Sequence, residues 1–190
     1  MRIVAGEHRG RALVAPKGHS TRPTADRTRE ALFNILEHAA WCRGLRNLRV
    51  LDLFAGSGAL GLEALSRGAA FCLFVDNAPS AQTIITGNLA RLALQDRAEL
   101  AGWDATRLDR RSAPSAAFDL AFLDPPYGQG LVERALAGMA SAGWLAQGAI
   151  VVVERGADEA DLHAPDYEVL DRRGWGAARV CFLAASSPST

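Results

Sequence analysis

From residue 48 onward, short apolar runs alternate with stretches whose apolar residues recur at helical spacing. The runs at 50–54, 71–75, 98–101, 118–123, 150–153, 167–170 and 179–183 predict strands. Residues 59–67, 79–93 and 131–142 predict helices between them. This alternation predicts an α/β domain on a mostly parallel, doubly wound, seven-stranded sheet. The last two strands lack an intervening helix, which predicts an antiparallel hairpin at that edge.

Before residue 48 the pattern differs. Ile3-Val4-Ala5 and Ala12-Leu13-Val14 flank the turn-like Glu7-His8-Arg9-Gly10, predicting a small hairpin. Pro16 to Pro23 reads as a loop. Thr24 reads as the N-cap of a helix with Ala31, Leu32, Ile35, Leu36 and Ala39 on one face. The expected organisation is a hairpin and helix extension over 1–40, a main domain over 41–185 and a disordered tail over 186–190.

Composition narrows the class. A chain of 190 residues, 49% hydrophobic and 22% charged, suits one ordinary globular domain. No segment approaches the roughly 20 apolar residues of a membrane span. The opening Met1-Arg2-Ile3-Val4-Ala5-Gly6-Glu7 does not read as a secretion signal, so a cytoplasmic protein is expected. Cys42, Cys72 and Cys181 are scattered, with no CxxC pair. They read as reduced thiols, with no metal site. His8, His19, His38 and His163 show no ligand spacing, and His8 and His19 read as exposed.

The net charge is zero and the pI about 6.9, against a strong non-specific nucleic-acid binder. The distribution says more. Residues 1–30 hold seven basic residues (Arg2, Arg9, Arg11, Lys17, Arg22, Arg27, Arg29) against Glu7, Asp26 and Glu30, a local charge of +4. Lys17 is the only lysine, and arginine suits planar phosphate contacts. A basic arm on a neutral domain fits a partner that is both charged and specific.

Two segments carry candidate chemistry. Val50-Leu51-Asp52-Leu53-Phe54 runs into Ala55-Gly56-Ser57-Gly58-Ala59-Leu60-Gly61, a G-x-G-x-x-G loop between strand and helix, and Asp76 ends the next strand. This order fits a dinucleotide, with Asp76 on ribose hydroxyls. It also fits S-adenosylmethionine, and two residues favour that ligand. Asp52 before the loop is unwelcome near a pyrophosphate but suits an ammonium and a sulfonium. Asp104 after the third strand can accept from an adenine amine, with Ala105 offering backbone and Trp103 a flanking ring. The second segment, Asp124-Pro125-Pro126-Tyr127, follows a strand, where open α/β sheets place ligands. Its prolines stiffen the turn and project carbonyls. Such a turn can hold a planar amine while the tyrosine ring stacks on a base.

These motifs occur in the order seen in class I S-adenosylmethionine-dependent methyltransferases. The stretch Arg22-Pro23-Thr24-Ala25-Asp26-Arg27-Thr28-Arg29-Glu30-Ala31-Leu32-Phe33-Asn34, with Leu51 to Arg67, closely resembles the bacterial 16S rRNA (guanine-N2)-methyltransferase family. Arg2-Ile3-Val4-Ala5-Gly6 and Gly143-Trp144-Leu145 resemble it too, and the likeness spans roughly residues 1–183. It implies a Rossmann-like class I fold and methyl transfer to one guanine of the small-subunit RNA. It implies S-adenosylmethionine on Asp52, Phe54, Gly56, Ser57, Gly58, Asp76, Asn77, Asp104, Ala105 and Asp124. The guanine amine would lie on Asp124, Pro125, Pro126 and Tyr127, with the tyrosine acting through its ring. Arg9, Arg11, Arg22, Thr24 and Arg27 would meet RNA. The expected partner is 16S rRNA, in the small subunit or an assembly intermediate, and the expected state a monomer.

Three rival readings explain the sequence less well. A DNA adenine-N6 methyltransferase would share Asp124–Tyr127, but 190 residues leave no room for a target-recognition domain. An NAD-dependent oxidoreductase leaves Asp52 and the paired prolines unexplained. A non-catalytic RNA-binding protein has no need of both Asp124 and the glycines.

Overall fold

Seven strands form one sheet in the order β3-β2-β1-β4-β5-β7-β6. The computed structural model describes residues 1–15, 23–108 and 116–186. Its elements are α1 (Pro23–His38), β1 (Arg49–Leu53), α2 (Ala59–Ser66), β2 (Phe71–Val75), α3 (Pro79–Leu92), β3 (Ala98–Ala101), β4 (Phe118–Leu123), α4 (Leu131–Ala142), β5 (Leu145–Gly156), β6 (Tyr167–Trp175) and β7 (Ala178–Ala185). β1 to β5 are parallel, and β7 lies antiparallel between β5 and β6. The α/β class, the mostly parallel sheet and the edge hairpin are those expected.

The central strands are mostly apolar, Arg49, Asp52 and Asp119 apart, because helices cover both faces. On one face, Val50, Phe74, Leu120, Phe122 and Val152 pack against α1, α2 and α3. On the other, Leu51, Leu53, Ala121, Leu123, Val151 and Val153 meet Val132, Leu136 and Met139 of α4. Each such large side chain taken from water contributes about 1.5–3 kcal/mol. The chain winds outward from β1 through β2 to β3, then returns to β4 on β1's other side. That reversal opens a crevice at the C-terminal ends of β1 and β4.

The N-terminal residues form a minimal hairpin with one bridge, Arg2 to Ala12. It is docked into the domain: Ile3 and Leu13 are buried in the core of α1, α2 and α3. The fully buried Glu63 of α2 accepts the Val4 and Ala5 N–H groups at 2.8 and 2.9 Å. Ser66 donates to the Ala5 carbonyl at 2.6 Å and accepts from the His8 N–H at 3.0 Å. Gly6, at φ +80°, lies so close that a Cβ would stand 1.9 Å from the Ser66 carbonyl oxygen.

Several expectations are corrected. β5 runs from Leu145 to Gly156, far beyond 150–153, because it crosses an irregularity where Gly148 has φ 70°. β6 continues through the polar Asp171–Gly174, since an edge strand need not bury both faces. α1 starts at Pro23, which places Thr24 inside the first turn and not at the cap; proline's fixed φ suits that position. The His8 side chain is only 12% exposed, tucked against α2. Most of the expected tail, 187–190, lies outside the described residues, as does His19. No helix of the described residues is long and apolar enough to cross a membrane.

Candidate active site

Strand register gathers the carboxylates. Asp52 of β1 is the Cα partner of Phe74 and of Phe122, and Phe122 is the partner of Val152. Asp76 and Asp124 are the first residues past β2 and β4, and Glu154 stands near the end of β5, close enough for their charges to interact. The four acids thus line one edge of the crevice.

The glycine loop is built around these acids. Phe54 has φ 58°, Gly56 φ 56° and Gly58 φ 75°, all left-handed. A bulky residue such as Phe54 in that region is strained, and such strain clusters at ligand sites. The Gly56 N–H donates to Asp76 Oδ2 at 2.8 Å, and the Ala78 N–H to Asp76 Oδ1 at 2.9 Å. Gln82 Nε2 caps the Asp76 carbonyl at 2.9 Å. Gly61 presses α2 onto β2, where a Cβ would stand 2.4 Å from the Phe74 ring. Its N–H donates to Asp52 Oδ2 at 2.9 Å.

Asp52 is buried and therefore uncomfortable as a carboxylate. Burial, with Asp124 and Asp76 nearby and despite the Gly61 N–H, pushes its pKa to about 8. Asp104 is the opposite case. The Thr106 hydroxyl and N–H, at 2.7 and 2.9 Å, hold its carboxyl below the usual carboxylate range. Ala105 beside it is buried, Asn77 is exposed, and Trp103 is exposed with its edge toward Trp144.

The Asp124–Tyr127 turn leaves β4 with Pro125 buried and its other three residues open to the crevice. Water reaches the open side of Asp124, while protein crowds it from behind. That desolvation, with the Glu154 charge, raises its pKa to about 7. Tyr127 Oη donates to Glu154 Oε1 at 3.0 Å, so the hydroxyl has a partner as well as the ring. Burial and Glu154 raise the Tyr127 pKa, keeping the hydroxyl protonated. The ring lies over Gly156, where a Cβ would come within 3.3 Å. Glu159 accepts the Gly128 N–H, and Arg155 ties Glu159 to Glu133 at 3.1 and 3.2 Å.

Glu154, Arg155, Glu159, Gln82 and Asn88 escape sequence reasoning. The fully buried Asn88 amide donates to the carbonyls of Val14 and Ser57, both at 3.0 Å, joining the hairpin to the glycine loop. Only for Glu154 was there a signal, since it is the acid that directly follows the apolar run 150–153.

Of the expected RNA residues, Arg9, Arg11 and Arg27 are exposed. Arg22 lies outside the described residues, and Thr24 is described only as part of α1. Arg29 faces Glu63 at 3.8 Å and Arg67 donates to Glu37 at 2.9 Å, so α1 runs alongside α2 in the same direction. The start of α1, with Arg27, therefore lies toward the glycine loop.

A family model described as "Conserved hypothetical protein 95" matches residues 1–184. The chain belongs to this family. "Ribosomal RNA small subunit methyltransferase D" of Escherichia coli K12 is 37% identical over 154 residues, covering 81% of this chain and 74% of that protein. The Haemophilus influenzae protein of that name is 33% identical over 180 residues, covering 93% and 89%. A solved structure, "Putative methyltransferase yhhF from Escherichia coli", superposes with a TM-score of 0.84 at 32% identity, over 98% of both chains. The protein is a class I methyltransferase that uses S-adenosylmethionine. The oxidoreductase, DNA-methyltransferase and non-catalytic readings are not favoured.

The donor set fits that cofactor. Acids at the ends of β1, β2 and β4 suit a ligand bearing an ammonium and a sulfonium, and the space above Gly56 is open, with only the Phe54 carbonyl oxygen within 4 Å of a built Cβ.

Proposed function

We propose that the protein methylates the N2 amine of one guanine of 16S rRNA, in the cytoplasm, acting as a monomer on the small subunit or an assembly intermediate. The observation that carries this reading is the Asp124–Tyr127 turn, open to the crevice beside the glycine loop.

Asp52, Asp76 and the backbone of Phe54–Gly58 would hold the amino-acid and ribose parts of the cofactor, with Asn77, Asp104 and Ala105 along the adenine. When bound, S-adenosylmethionine supplies an electrophilic methyl group. The guanine amine is a weak nucleophile because its lone pair is delocalised into the ring. The Asp124 carboxylate and the Pro125 carbonyl would each accept one of its N–H bonds, freeing the nitrogen to pyramidalise. The Tyr127 ring would stack on the base and fix its plane. Alignment of this kind is worth up to about 7–11 kcal/mol. The amine proton leaves to Asp124 or to water, and no covalent enzyme intermediate is required.

The base must be unstacked to reach the turn, which costs least in loops or mismatched RNA. Residues 1–40 are the candidate RNA-contacting part: the exposed Arg9, Arg11 and Arg27 would face phosphates, and Arg22 and Thr24 are assigned to RNA by the family resemblance alone. The test is transfer of labelled methyl to undermodified small subunits and, in parallel, to protein-free 16S rRNA, followed by nucleoside analysis. N2-methylguanosine at one site is expected. No incorporation by cofactor-binding protein would overturn the reading.

A further inference from the structure

We propose that Glu154 reads the N1–H of the target guanine and makes the cleft select guanine over adenine; this rests on the guanine-N2 reading above. The residue stands beside Asp124 by register. Leu123 and Val153 are the last Cα partners of β4 and β5, and Asp124 and Glu154 are the next residue of each chain segment. The pair is close enough for the Glu154 charge to act on Asp124. Glu154 is only partly buried, so its carboxyl is within reach of a ligand in the crevice.

Its neighbours leave it ready to bind. Tyr127 donates to Oε1, which orients the carboxyl beside the ring, and no hydrogen bond to Oε2 is found among the described residues. The adjacent cation does not neutralise it: Arg155 is committed to Glu159, Glu133 and the Ala160 carbonyl. The turn thus offers two carboxylates side by side, with a ring fixed next to them.

Guanine presents its N1–H next to the two hydrogens of its N2 amine, a row of donors. An ionised carboxylate only accepts. If Asp124 and Pro125 take the amine hydrogens, the next donor along the base edge meets Glu154. Adenine held by its amine would turn the bare N1 lone pair toward the same carboxylate, which repels it. A flipped base is read on this edge.

The probe is 2-aminopurine, which keeps the N2 amine but has an acceptor at N1. Wild type, Glu154→Gln and Tyr127→Phe are compared on small-subunit RNA carrying guanine or 2-aminopurine at the position that wild type labels. Wild type is expected to favour guanine in kcat/KM by about tenfold or more. Glu154→Gln, whose amide can donate to the bare N1, is expected to reduce that preference at least about tenfold. Tyr127→Phe keeps the carboxylate but loses the bond that orients it, so it should weaken the preference less than Glu154→Gln does. Should Glu154→Gln fail to bind cofactor and unfold early, Glu154→Ala replaces it, with the same loss of preference expected. An unchanged ratio in the Glu154 variant, or equal slowing of both substrates, overturns the inference while guanine methylation stands. No labelling of guanine RNA by wild type overturns the guanine reading itself.

Discussion

Asp76 at the end of β2 accepts the Gly56 N–H at 2.8 Å, so one carboxylate fixes the glycine loop that follows the neighbouring strand. Its other oxygen accepts the Ala78 N–H at the start of α3. Replacing Asp76 by Ala removes both bonds, and hydrogen bonds to a charged group are worth about 1.5–3 kcal/mol. The expected outcome is S-adenosylmethionine affinity about 10- to 100-fold weaker by calorimetry, from that range. An unchanged Kd would show that the loop keeps its shape without Asp76.

Gly6 and Gly10 make a matched pair. Both have left-handed φ, but a Cβ at Gly6 would strike the Ser66 carbonyl oxygen, while nothing lies within 4 Å at Gly10. Gly10→Ala carries only the backbone cost, about 1–2 kcal/mol. Gly6→Ala adds overpacking of about 1–3 kcal/mol. The denaturant midpoint should therefore fall further for Gly6→Ala. Equal midpoints would mean that the hairpin lifts from α2 without loss.

Asp52 couples stability to pH. Its pKa is about 8 in the fold, against about 4 for an ordinary aspartate. Between those values the folded protein binds the extra proton, so stability of the cofactor-free protein falls as pH rises from about 4 through about 8. A cationic cofactor favours the ionised form and should bind more tightly as pH rises through that window, releasing a proton. Thermal unfolding from pH 5.5 to 8.5, with and without S-adenosylmethionine, checks both slopes. Asp52→Asn should flatten them.

Asp124 must be ionised to accept from the amine in the proposed reaction. With its pKa raised to about 7 by desolvation and Glu154, methyl transfer at saturating S-adenosylmethionine should rise with pH through a single step near neutrality. Glu154→Gln removes a negative neighbour, lowers the Asp124 pKa and should move that rise to lower pH. Asp124→Ala should abolish turnover while cofactor binding survives. A pH-independent rate over 5.5–8.5, or turnover in Asp124→Ala, would remove Asp124 from this role.

Asn88 gives a fifth test. It bonds to Val14 and Ser57 from a fully buried position. Asn88→Ala strands their backbone groups at about 1–3 kcal/mol and should lower Tm and weaken cofactor binding together. Loss of stability alone would mean that the link to Ser57 is incidental.

By itself the sequence determined what depends on local periodicity and on chain-adjacent turns. The runs at 71–75 and 118–123 are strands because all their positions, Asp119 apart, are apolar enough for a sheet covered on both faces. Gly56, Gly58 and the Asp124–Tyr127 turn were legible because a left-handed loop and a double proline write themselves in consecutive residues. Tertiary structure alone decided what depends on register and on polar partners far apart in the chain. Glu154 meets Asp124 only because β4 and β5 pair with Phe122 opposite Val152. Glu63 has Arg67 one turn along α2 as a partner, but it also takes N–H groups from Val4 and Ala5, nearly 60 residues away. A buried charge is tolerated where partners satisfy it, and the distant chain that supplies those partners leaves no mark in the local pattern.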